Sequence, residues 1–160
     1  MSSGPSFDRP APAPRRPAEA DDSTVAAVGK LTEALETTER ARGHLYAFHQ
    51  LTGGADAQLD AVVDLLREAG RHALAEQVAV ELIGRNVLPG RWTYQIVEEY
   101  DDDYYRTFRS LEARVREQLL AGRRHVAEAE MKERRRTHGH EAHRATPRTA
   151  PPEGPDGEGY

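Results

Sequence analysis

Five residues could form one polar site if helices bring them together: Arg42, His49, Tyr94, Asp101 and Tyr105. A carboxylate, an imidazole and phenols sharing a pocket would have shifted pKa values suited to acid–base chemistry. Three of the five lie in LPGRWTYQIVEEYDDDYY, residues 88–105, which holds the only tryptophan, four of the six tyrosines and five carboxylates. The same residues also fit an internal ion pair. An unpaired carboxylate buried against aromatic rings costs several kcal/mol, so Asp101 needs a cation, and Arg42 or His49 can supply it. Structural networks of this kind perturb pKa values too. The ion-pair reading therefore takes precedence over the catalytic one.

Metal and nucleotide chemistry find little support. A di-iron bundle site needs Glu-x-x-His on paired helices, and the expected bundle contains none. His44 and His49 are five positions apart and do not share a helix face as i,i+4 ligands would. His138, His140 and His143 cluster near the end of the chain and read as a solvated tail. No phosphate-binding glycine loop and no GxSxG nucleophile elbow occurs. No cofactor and no metal is expected.

A second candidate surface is the basic arm AGRRHVAEAEMKERRRTHGHEAHR, residues 121–144. Arg123, Arg124, Lys132, Arg134, Arg135 and Arg136 could neutralise phosphates. Three glutamates interrupt them, however, and the arm lacks aromatics on which bases would stack. Docking onto an acidic protein surface suits it better. Trp92, just after a turn and off the main apolar stripe, is either an exposed anchor for a partner or the residue that closes the end of the bundle.

The elements that must position these groups are helical throughout. Val25, Val28, Leu31, Leu35, Leu45 and Tyr46 recur at helical spacing, predicting a first helix over about 24–51 that ends at Thr52-Gly53-Gly54. Leu59, Val62, Val63 and Leu66 predict a second over about 56–69. Leu74, Val78, Val80 and Leu82 predict a third over about 72–83, with apolar residues on two sides that suggest a central position. A long stripe through Val97, Tyr100, Tyr104, Phe108, Leu111, Val115 and Leu119 predicts a fourth over about 93–136. Tyr94, Asp101 and Tyr105 fall at its boundary. The stripe weakens past Leu119, so the distal end should be less buried and overhang the bundle. No segment alternates as a strand does. The expected class is all-α: a four-helix arrangement of two long helices with a short helical hairpin.

Charge divides the chain in the same way. The net charge of -5 conceals a balance of -6 over residues 22–119 and +4 over residues 120–149. Proline- and alanine-rich ends suggest disordered tails at 1–21 and 138–160, around an acidic core at 22–120 and a basic extension of the last helix at 121–137. The absence of cysteine suits a reducing compartment. No apolar run has membrane-spanning length or follows a signal-peptide pattern, so a cytoplasmic location is expected. Arginine outnumbers lysine 20 to 2, which reads as codon bias of a GC-rich genome.

The blocks ARGHLYAFHQL (41–51), ELIGRNVLPGRWTYQIVEEYDDDYY (81–105) and EAEMKERRRTHG (128–139) resemble an uncharacterised family of small helical proteins from GC-rich bacteria. The resemblance covers about residues 28–139. It implies a helical fold and a bacterial source, and it carries no activity.

These readings converge on a non-enzymatic helical adaptor, regulator or assembly component. Its expected partner is a protein, a second copy included, in a homodimer that buries the overhang or extends the bundle. Two alternatives stand beside it. One is a small-ligand binder or enzyme using the Tyr/Asp/His cluster between the first and fourth helices. The other is a weak nucleic-acid binder acting through the basic arm.

Overall fold

The computed structural model describes residues 15–146. Among them the chain is all-α, with no strand. Helix α1 runs over Asp22–Glu68, α2 over His72–Glu81, α3 over Thr93–Tyr100, α4 over Arg106–Leu120 and α5 over Val126–Arg135. A π-helical turn, Asp101–Tyr105, joins α3 to α4 without a break, and a short 3-10 turn follows at Glu141–His143. No helix among the described residues is long and apolar enough to cross a membrane.

The first helix does not stop at Gly53-Gly54. It continues to Glu68, 47 residues or about 70 Å in all, absorbing the expected second helix. Glycine weakens a helix by roughly 1 kcal/mol relative to alanine, which is too little to break one whose apolar face stays in phase. Leu45, Thr52, Leu59 and Leu66 recur every seven residues straight through the glycines, and all are at least half-buried. Gly70, with φ +73°, makes the real turn.

The residues fall into two compact units. In the unit of residues 32–112, α1 and the helix begun by α3 run antiparallel. Partners descend one helix as they ascend the other: Thr32 meets Glu112, Glu39 meets Tyr105, Arg42 meets Asp101 and His49 meets Thr93. Helix α2 returns along the end of α1, tied by Arg67 to Glu76 at 2.9 Å. It is not central. Only Ala75 is buried, while Val80 is 81 % exposed and Leu74 52 %.

The π turn changes which side chains face inward. One extra residue in a turn rotates everything after it by about 100°, so the inward stripe slips by one position. Tyr104, expected in the core, is 54 % exposed, and Tyr105, expected at the boundary, is buried. Leu111 and Leu119 likewise turn outward, while Glu112 and Leu120 turn inward. Glu112 is buried with a hydrogen bond from the Thr32 hydroxyl at 3.0 Å.

The other unit contains the described residues 15–31 and 113–146. The expected overhang does not exist. The last long helix ends at Leu120, and Ala121 and Gly122 adopt positive φ of 50° and 71°. Helix α5 is a separate element rather than an extension, and it is not the less buried end. Val126 and Leu120 are 2 % and 3 % exposed, packed with Ala20, Val25 and Val28. Gly29 permits this approach, since a Cβ there would sit 3.7 Å from the Ala127 Cβ.

Part of the expected tail belongs to this unit. Arg16 grips Glu130 through two hydrogen bonds of 2.6 and 2.7 Å, and Asp21 accepts from the Thr24 backbone to cap α1. The remainder of the expected tails, residues 1–14 and 147–160, lies outside the described residues.

Candidate functional site

Arg42 and Asp101 form the centre of the polar cluster. The guanidinium meets the carboxylate end-on, Nε to Oδ1 at 2.6 Å and Nη2 to Oδ2 at 2.9 Å. Such a bidentate pair is among the stronger charge-assisted contacts, and its planarity fixes geometry as well. Tyr46, one turn after Arg42, donates its hydroxyl to Asp101 Oδ2 at 2.8 Å. The guanidinium also lies between two rings, 4.8 Å from the Tyr46 centroid and 4.6 Å from that of Tyr105. Tyr105 in turn donates to Glu39.

The electrostatics follow from these contacts. The Arg42 hydrogen bonds, against the opposing effect of burial and with help from Tyr46, hold the Asp101 carboxyl below the usual aspartate range. Asp101 reciprocally raises the Arg42 pKa. The Tyr46 and Tyr105 phenols are pushed up by their hydrogen bonds to Asp101 and Glu39. Each group is thereby fixed in its ordinary ionisation state at neutral pH. A general base instead needs a lone pair free for substrate and a pKa near the working pH. Both Asp101 oxygens are already engaged, so the chemistry of the cluster is that of a clamp between α1 and the π turn.

The remaining residues of the expected cluster are only partly gathered. His49 shares a hydrogen bond of 2.7 Å with the Thr93 hydroxyl, away from Asp101. Tyr94 is 49 % exposed and has no part in the network. Sequence reasoning passed over Glu39 as the acceptor for Tyr105. It also gave Tyr46 no polar role, although a phenol four residues after Arg42 on the same face was a usable signal.

The second feature surrounds Trp92. Gly84, in the left-handed conformation at φ +71°, ends the turn after α2. Its amide donates to Asp56 Oδ1 at 2.9 Å, and its carbonyl accepts from the Trp92 indole Nε1 at 3.1 Å. The Trp92 amide donates to the Gln95 side chain at 2.8 Å, which opens α3. Leu88 and Arg91 exchange backbone hydrogen bonds across the Pro89-Gly90 turn. The indole is therefore pinned at its polar atom yet 42 % exposed. Beside it opens a cleft of about 430 Å³ whose walls include Thr52, Leu59, Leu82, Arg85, Val87 and Trp92.

The basic arm is divided. Arg136 is buried and paired with Glu133 at 2.6 and 2.9 Å, and Arg123 donates to the Arg15 carbonyl. Arg124, Lys132, Arg134 and Arg135 are exposed. Near the arm, His140 and His143 stack at 4.5 Å, and each Nδ1 accepts a backbone amide hydrogen bond. Among the described residues no three histidines or carboxylates are placed to hold a metal ion.

Comparison with known proteins yields no matching family model, curated protein or solved structure.

Proposed function

We propose that the chain is a non-enzymatic, cytoplasmic helical interaction protein, an adaptor or assembly component, that docks a protein partner at the Trp92 cleft. One observation carries this reading: the indole is held by its Nε1 hydrogen bond while 42 % of the residue stays exposed on the rim of an apolar cleft. A pre-fixed aromatic side chain loses little freedom when it is covered, which is the property of interface anchors. Leu82, Val87 and Leu88, exposed by 49 %, 39 % and 49 %, extend the apolar rim. Arg85 supplies a cation among the walls. The fitting partner presents an apolar side chain beside an acidic one.

Photo-crosslinking tests this. A photoreactive residue in place of Leu88 should give discrete protein adducts in host cells. The same residue in place of Asp102, exposed on the π turn, should not. Adducts that form equally from both positions, or from neither, remove the cleft as the docking site.

A further inference from the structure

Helix α1 carries two heptad stripes, and only one is used within the chain. The inward stripe passes through Leu45, His49, Thr52, Asp56, Leu59 and Val63, all buried or half-buried. One position earlier in the sequence, a second stripe keeps the same alternating spacing of three and four. Ala41, Phe48, Ala55 and Val62 fall on it, and His44, Leu51, Gln58 and Leu65 come between them. Every one of these is exposed. Phe48 and Val62 are each 40 % exposed, Leu51 74 % and Leu65 63 %. A seam sustained over this length is the pattern by which one helix receives another. Along its edge run Ala47, Gly54 and Ala61, also exposed. A Cβ at Gly54 would meet nothing within 4 Å, so packing within the chain gives no reason for a residue that weakens the helix.

We infer that this face is covered by α1 of a second copy, running antiparallel across a two-fold axis near Gly54. The order of residues along the stripe suits that arrangement. Ala41 comes opposite the partner's Leu65, and Leu51 opposite the partner's Ala55, so a large side chain meets a small one. His44 comes opposite the partner's Val62, and Phe48 opposite the partner's Gln58. On the edge, Gly54 meets the partner's Gly54 and Ala47 meets the partner's Ala61, which allows close backbone approach. At each end Arg40 faces the partner's Glu68. Both residues are exposed, and flanking opposite charges of this kind set the orientation of paired helices. A parallel pair would instead stack Phe48 on its own copy, align two glutamines at position 58 and leave Arg40 far from any Glu68. The pairing goes beyond the docking of another protein at Trp92 and does not depend on it.

Sedimentation of the full chain, with circular dichroism as the check on folding, decides the matter. The wild type should be a dimer. Leu51→Glu with Leu65→Glu, both at exposed positions, should raise the dissociation constant by roughly thirtyfold or more. Arg40→Glu should weaken the dimer, and adding Glu68→Arg should restore it. The chain has no cysteine, so Gly54→Cys can form a disulfide only between copies. It should give a covalent dimer on oxidation, whereas Asp60→Cys, on the opposite side of α1, should not. A chain that remains monomeric at about 100 µM overturns the inference. So does a dimer indifferent to the two glutamates, or one that Gly54→Cys cannot link.

Discussion

Arg42 and Asp101, 59 positions apart in sequence, face each other through two hydrogen bonds and so set the register of α1 against the π turn. The pair is partly wet, with the side chains 31 % and 22 % exposed. Breaking a fully buried pair costs about 3–5 kcal/mol, and exposure reduces that. Arg42→Met is therefore expected to lower stability by roughly 1–3 kcal/mol in urea unfolding, because it leaves Asp101 against aromatic rings without its cation. Arg42→Met combined with Asp101→Leu should recover part of the loss. An unchanged melting temperature for Arg42→Met would show that Arg42 does not neutralise a buried acid.

Acid should weaken the fold through the same contact. Asp101 and Glu130 are both held below the usual carboxylate range, by Arg42 and Arg16 respectively. A carboxyl whose pKa is lower when folded contributes its full stabilisation above its unfolded pKa, about 4 here. That contribution drains away as pH falls from there through the folded value. Urea midpoints should hold steady from neutral pH to about pH 5 and decline below it. Asp101→Asn should start lower and decline less steeply. A variant as steep as the wild type would place the acid sensitivity elsewhere.

The inward face of the long helices was legible in sequence as far as Tyr100 and misleading after it. Up to that point apolar residues recur at the period of an α-helix, and Val97 is buried as the pattern requires. The π turn then adds a residue that periodicity cannot see, because Asp101 to Tyr105 offer polar and aromatic side chains to either phase. The result is Tyr105 inside instead of Tyr104, and Glu112 inside instead of Leu111. The Arg42–Asp101 contact was accessible because both residues precede the shift or stand at its start. The fold-back of α5 was not, since Ala121 is an ordinary helix former held at φ 50° by its surroundings. The continuity of α1 was legible in principle, through the seven-residue recurrence across Gly53-Gly54.

Gly43 offers a simple gain of stability. It lies inside α1, and a Cβ there would meet nothing within 4 Å. Gly43→Ala should reduce the freedom of the unfolded chain without a clash, raising stability by about 0.5–1 kcal/mol. The urea midpoint should rise accordingly. A fall would mean that another molecule covers that side of the helix.

Gly122 should behave in the opposite sense. Its φ of +71° belongs to the left-handed region, and it follows Ala121 at φ 50° in the turn that lets Val126 pack beside Leu120. An L-residue in that region costs about 1–2 kcal/mol, so Gly122→Ala should destabilise by that amount. A Cβ at position 122 would also collide with the Glu117 carboxylate, a flexible group that can move aside. The two causes separate experimentally. If the backbone is responsible, Gly122→Ala should cost as much in a Glu117→Ala background as in the wild type. Gly122→Asn should cost less than Gly122→Ala, because asparagine tolerates the left-handed region better. Relief of the penalty by Glu117→Ala would transfer the explanation from the backbone to the side chain.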